Sequence, residues 1–157
     1  MSNLDSYATY LFHEGTNYQA YKLLAPSKAF ENGVEGWSFK VWAPNAKRVS
    51  VVGDFNQWQI GANPMNSSNE GIWTCFIPGL KQYDTYKYAV EGADGKTVLK
   101  CDPYGYHFET APANASKLYD ISGYRWKDKK WMQDRQNYVP YGEPMNIYEL
   151  HFGSWRF

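Results

Sequence analysis

Between Gly36 and Trp58 the apolar positions recur at every second residue. Phe39, Val41 and Ala43 take one face, Ser38, Lys40 and Trp42 the other, the period of a half-buried strand. Pro44 fixes its own φ and Asn45 tolerates turn conformations, so the chain reverses there. Val49 and Val51 then share a face in a second run, before Gly53-Asp54 opens a loop that closes on Trp58. The same texture continues to about Ile121, with turn residues bounding each run. The pattern predicts strands over 37–43, 48–53, 72–77, 84–91, 97–101 and 116–121. With no convincing helix between them, they predict an all-β fold, an immunoglobulin-like two-sheet β-sandwich over residues 34–123.

The flanks read differently. Leu4, Ala8, Leu11 and Phe12 recur at helical spacing and Gly15 ends the pattern, so residues 1–33 are expected to hold a short helix followed by an extended connector through Tyr18–Leu24. After Gly123 the chain is charged and aromatic with no clean period. Pro140 and Pro144 argue against regular structure, so residues 124–144 are expected to be an irregular linker. The run Met145-Asn146-Ile147-Tyr148-Glu149-Leu150-His151-Phe152 is a buried-strand pattern that needs neighbours on both sides.

Composition narrows the partners. Lys plus Arg and Asp plus Glu number 16 each, so no net field favours nucleic acid or an acidic membrane surface. No stretch approaches the roughly 18 apolar residues of a membrane span. The N-terminus lacks a basic segment followed by an apolar run, so it does not read as a secretory signal, and a cytoplasmic location is expected. Cys75 and Cys101 are too few for a disulfide framework and are expected to be buried free thiols. Asn114-Ala115-Ser116 matches a glycosylation pattern, taken here as chance. Aromatic residues, at 18% of the chain, are the outlier. Many must be core, but Tyr and Trp also suit a surface that meets a ligand with an apolar face and hydroxyl edges.

Several pieces, in this order and spacing, resemble the family 48 carbohydrate-binding module: Phe39, Val41-Trp42-Ala43-Pro44-Asn45-Ala46, Gly53-Asp54-Phe55-Asn56, Trp58, Gly71-Ile72-Trp73, Ile77-Pro78-Gly79-Leu80, Tyr86-Lys87-Tyr88 and Asp102-Pro103. The resemblance spans about half the chain. It implies a module that precedes the catalytic barrel in glycogen branching enzymes, isoamylases and related glucan-acting enzymes. The segment from Tyr10 to Leu24 is similar to the stretch before the module in branching enzymes, and the run into Gly153-Ser154-Trp155 resembles the first strand of their (β/α)8 barrel. Residues 145–157 are therefore expected to begin a truncated catalytic domain, and the chain to be the front part of a longer protein. The implied partners are α-1,4-glucan chains (glycogen, starch, malto-oligosaccharides) and that barrel, with a monomeric module, no cofactor and no metal.

Four residues are candidates for the glucan site. Trp58 comes first, because a rigid indole offers a flat apolar surface to the C–H face of a glucose ring. The alternative is that it packs inward and closes one end of the sandwich. Lys87 lies opposite in parity to Tyr86, Tyr88 and Val90; if the tyrosines fill the core, its ammonium points outward and can donate to sugar hydroxyls, unless it is an ordinary solvated lysine. Asn56 is a weaker candidate, since Asn in such loops more often bonds its own backbone. Trp42 could add a second aromatic patch, or be covered by the N-terminal helix or a following domain. Glycogen-sensing members of the family carry a second tryptophan shortly before the Asp-Pro step, where this chain has Val98-Leu99-Lys100-Cys101. A clamp with Leu99 in that place is one-sided. No catalytic pair is expected, because retaining glucan chemistry needs two carboxylates roughly 5 Å apart and no spacing here supports them.

Overall fold

The computed structural model describes residues 3–139, 141, 142 and 144–154. They fall into one body ending at Ser122 and a second beginning at Gly123. The first opens with two helices, α1 (Asn3–His13) and α2 (Ala20–Leu24), and continues with ten strands. These are β1 (Ser27–Glu31), β2 (Val34–Trp42), β3 (Arg48–Gly53), β4 (Asn63–Pro64), β5 (Asn66–Ser67), β6 (Ile72–Pro78), β7 (Thr85–Glu91), β8 (Thr97–Lys100), β9 (His107–Phe108) and β10 (Ser116–Lys117). They form two antiparallel sheets, one in the order β1-β2-β6-β5, the other β4-β3-β7-β10-β9 with β8 also paired to β7. The all-β sandwich read from the sequence is the observed fold.

Its core follows from the period-2 pattern. Trp37, Phe39 and Val41 of β2, Trp73 and Ile77 of β6, Val49 and Val51 of β3 and Tyr86 and Tyr88 of β7 form one buried cluster with Met65 and Leu118. Trp73 reaches the next turn as well, its indole N–H donating to the Ala43 carbonyl at 2.9 Å. One charge is also enclosed. Asp102 is 1% exposed. Its Oδ2 accepts from the hydroxyls of Tyr86 (2.7 Å) and Tyr88 (3.1 Å), and its Oδ1 from the Tyr104 amide (2.8 Å). Its own amide donates to Ser116 Oγ at 2.8 Å, so the chain after β8 is tied to the core tyrosines of β7 and to β10. Burial pushes this carboxyl above its ordinary pKa, and the three donors pull the other way.

Several elements differ from the sequence-based expectation, each for a local reason. Residues 27–31, assigned to the connector, form β1: Glu31 pairs with Val34 across Asn32-Gly33, whose φ of 51° and 82° suit a two-residue hairpin turn. The extended piece expected over Tyr18–Leu24 includes helix α2. Its Leu23 and Leu24 are buried with Ile72, and Pro26 follows its end. Of the strand predicted over 116–121 only Ser116 and Lys117 pair, and β4, β5 and β9 were too short to leave a pattern. Both cysteines are free, but only Cys75 is half-buried; Cys101 is exposed, so the expectation of two buried thiols is corrected.

In the second body, the connector expected to be irregular carries helix α3 (Lys129–Gln136). It buries no residue and is held locally: Lys130 Nζ lies 2.6 Å from Asp134, and the Arg135 guanidinium sits 5.2 Å from the Trp131 ring centre, both at i,i+4 spacing. Residues 145–151 pair with no strand among the described residues, as an isolated strand without neighbours cannot satisfy its backbone. His151 Nδ1 meets Ser154 Oγ at 2.6 Å in a 3₁₀ turn over Phe152–Ser154. Pro140 and Trp155, both used in the sequence reading, lie outside the described residues.

Candidate functional site

The outer face of the second sheet is built by alternation. With Tyr86, Tyr88 and Val90 turned inward, Thr85, Lys87, Ala89 and Glu91 of β7 turn outward, opposite Ser50 and Val52 of β3. Residues two apart on one strand face stand roughly 7 Å apart, so Thr85 and Lys87 form a short polar row.

Beside that row the chain leaves β3 through Gly53. A Cβ at this position would lie 2.1 Å from the Thr85 carbonyl oxygen, so only glycine lets the two backbones approach. A turn of 3₁₀ helix over Asp54–Asn56 follows, and then Gln57 and Trp58 both take positive φ, 54° and 59°. Non-glycine residues in this region cost on the order of 1 kcal/mol each and persist only where surroundings hold them. Here the Trp58 amide donates to the Gly53 carbonyl (2.9 Å) and the Gln57 amide to that of Asp54 (3.2 Å). The Asn56 amide group does the rest: its Oδ1 accepts from the Gly53 amide (2.9 Å), and its Nδ2 donates to the Val51 carbonyl (2.9 Å) and to Asn63 Oδ1 (2.7 Å).

The result is a half-buried Trp58 at the rim of the sheet rather than in its core. Its indole N–H donates to Asp54 Oδ1 at 2.8 Å, and Asp54 Oδ2 accepts from the Thr85 hydroxyl. These two donors, Thr85 first, hold the Asp54 carboxyl below its ordinary pKa. Lys87 Nζ donates to Asn114 Oδ1 on the segment before β10. The Gln57–Ala62 loop lies over the same face: the Gly61 amide donates to Ser50 Oγ at 3.1 Å, beside a cleft of about 230 Å³ lined by Ile60, Ala89 and Glu91.

Trp58 is thus tied, through Asp54 and Thr85, to the strand face that carries Lys87. Trp42 does not join them. It lies on the outer face of the other sheet, 48% exposed, with the rings of Phe12 and His13 from α1 set edge-on at 5.6 and 6.3 Å. The N-terminal helix flanks it without covering it. Asn56 belongs to the loop's frame, since both its N–H donors are used internally. Leu99 is paired with Ala89 and shares the outward face of Lys87; it is 43% exposed, so an aliphatic side chain stands where a second ring was sought. Sequence reasoning missed Thr85 and Asn114. They lie 31 and 27 residues from the groups they bond, and only the matching parity of Thr85 and Lys87 hinted at the first. A cleft of about 460 Å³ between Phe30, Glu35, Trp37 and Leu80 touches none of these residues; a ring platform needs a face, not a cavity.

Residues 24–105, just over half the chain, match the family described as "Carbohydrate-binding module 48 (Isoamylase N-terminal domain)". The chain belongs to this family. Its similarity to longer proteins extends further. It is 47% identical over 92% of its length to the "1,4-alpha-glucan branching enzyme GlgB" of Bacillus cytotoxicus, and 48% identical over 94% to "GlgB 1" of Clostridium perfringens. With the GlgB of Rubrobacter xylanophilus it shares 47% identity over 98% of its length. The chain spans only 21–23% of these curated relatives. Among the described residues, no helix is long and apolar enough to cross a membrane and no group of three or more His, Cys, Asp or Glu could hold a metal ion.

Proposed function

We propose that this chain is the α-glucan-binding and domain-packing module of a cytoplasmic 1,4-α-glucan branching enzyme. Such an enzyme cleaves an α-1,4 link, holds the chain on a carboxylate and transfers it to a 6-hydroxyl. Residues 145–157 would open its catalytic barrel. The module itself brings no chemistry to that transfer; it holds glycogen, starch or malto-oligosaccharide chains near the barrel as a monomer. Family membership and the branching-enzyme relatives support this reading, and one observation carries it: the Trp58 indole is held by Asp54, whose other oxygen is bound to Thr85 on the strand face that also carries Lys87. The apolar face of a glucose ring lies on the indole, and the Lys87 ammonium with the Asn114 amide meets its hydroxyls.

Stacking on one aromatic ring contributes on the order of 1 kcal/mol beyond area burial, and millimolar affinity corresponds to about 4 kcal/mol. One ring and one lysine therefore suit millimolar binding. Native gel retardation in amylopectin tests this: the wild type is slowed and Trp58→Ala migrates freely. Free migration of both would remove the binding claim. Leu99 favours a second reading, a packing module without glucan affinity, which predicts that outcome.

A further inference from the structure

The geometry points to Asp54 as a positioning residue for the candidate site: its carboxylate, braced by the Thr85 hydroxyl on β7, fixes the plane of the Trp58 indole and so sets glucan affinity without touching the sugar. The inference rests on the glucan reading of Trp58 and adds what orients the ring. Three observations carry it. Asp54 spends one oxygen on the indole N–H (2.8 Å) and the other on Thr85, so one side chain links the ring to β7. Gln57 and Trp58 both stand at positive φ, a backbone that relaxes unless something holds it. And the indole N–H, which could otherwise donate to a sugar hydroxyl or to water, is already committed, leaving the ring face as the ligand surface.

The lowered pKa of Asp54 agrees with this, since both donors favour the ionised form. The other charged groups on that sheet face include Lys87 on β7, Glu91 at its far end with its ion-pair partner Arg48 of β3, and Lys117 on β10, whose register partner is Thr85. The hydroxyl and the indole, not these ammoniums, account for the lowering.

Backbone and indole ¹H–¹⁵N spectra of the whole chain, with the Trp58 indole N–H assigned from Trp58→Phe, provide a readout that needs no ligand. In Asp54→Ala the Trp58 indole N–H shifts and exchanges faster with water, while the amides of the core strands keep their positions. Maltoheptaose affinity then falls about fivefold, a modest figure because the pair is exposed and water screens it. Asp54→Asn retains one acceptor oxygen and recovers part of the loss; Thr85→Val, which leaves the carboxylate in place but unbraced, gives a smaller loss of the same kind. In the wild type both the indole signal and the affinity change together as pH falls below about 3.8. An indole signal and affinity unmoved by Asp54→Ala would overturn the assignment. If the wild type binds no maltoheptaose but the indole signal still responds, Asp54 orients the ring and the glucan reading fails separately.

Discussion

Asp102 and Asp54 each accept hydrogen bonds from two side chains of this sandwich, and their pKa values move in opposite directions. Asp102 lies in the interior beneath Tyr86 and Tyr88; burial outweighs its donors and raises its pKa. Asp54 lies at the outer rim, where the Thr85 and Trp58 donors outweigh a slight desolvation and lower it. Asp102 has one donor more than Asp54, the Tyr104 amide, and is still the one raised, so access to water decides the sign. The contrast also separates two tasks. The enclosed Asp102 joins β7 and the chain after β8 through its carboxylate and β10 through its own amide, whereas the exposed Asp54 holds an indole.

The largest break in that contrast is Asp102→Ala. It removes the carboxylate that accepts from two buried phenol hydroxyls, leaving Tyr88 only the Lys40 carbonyl at 3.3 Å, and costs about 3 kcal/mol, read as a lower urea midpoint at neutral pH. A midpoint within error of the wild type would show that the tyrosines find other partners. Gly53→Ala comes next. Its Cβ would strike backbone, the Thr85 carbonyl, so β3 and β7 must separate at the very point that carries Asp54; a loss of about 2 kcal/mol is expected together with weaker glucan binding. Leu99→Trp works in the other direction. A ring on the exposed β8 position opposite Ala89 adds the missing second surface and raises maltoheptaose affinity about tenfold, with stability nearly unchanged, measurable by titration calorimetry.

The smallest effect is the pH dependence, and its sign is what matters. Asp102 binds its proton more tightly folded than unfolded. The part of its contribution linked to proton binding is fully present below the ordinary value of 3.8 and is lost as pH rises through the raised folded value. Asp54 is the reverse: its contribution is present above 3.8 and lost as pH falls through the lowered value. Subtracting the urea midpoints of Asp102→Asn and Asp54→Asn from the wild type should give difference curves of opposite slope. Parallel slopes would mean that burial does not separate the two carboxylates.

Much of this arrangement was legible in the sequence because a sheet face writes itself at period 2. Phe39, Val41, Val49 and Val51 share the inward faces that their alternation implied, and Tyr86 and Tyr88 meet the condition under which Lys87 turns outward. The hairpin at Asn32-Gly33 is equally legible, since Asn-Gly is a strong turn signal between strands. Other features had no local signature. Strands of two residues leave no period, and α3 is held by i,i+4 side-chain pairs in a segment with little apolar pattern. The braces of the site, Thr85 to Asp54 and Lys87 to Asn114, join positions whose nearness is created only by strand register. Asp102 was visible as part of an Asp-Pro step, but nothing before the fold was known told that two tyrosines close over it.

Trp58 as an outward glucan platform is the centre of the account, and a ¹H–¹⁵N titration with maltoheptaose into the millimolar range tests it most directly. Saturable shifts gathered at the Trp58 indole and at the amides of Thr85, Lys87 and Asn114, absent in Trp58→Ala, are expected. Shifts gathered around Trp42 and α1 instead, or no shifts at all, would contradict it.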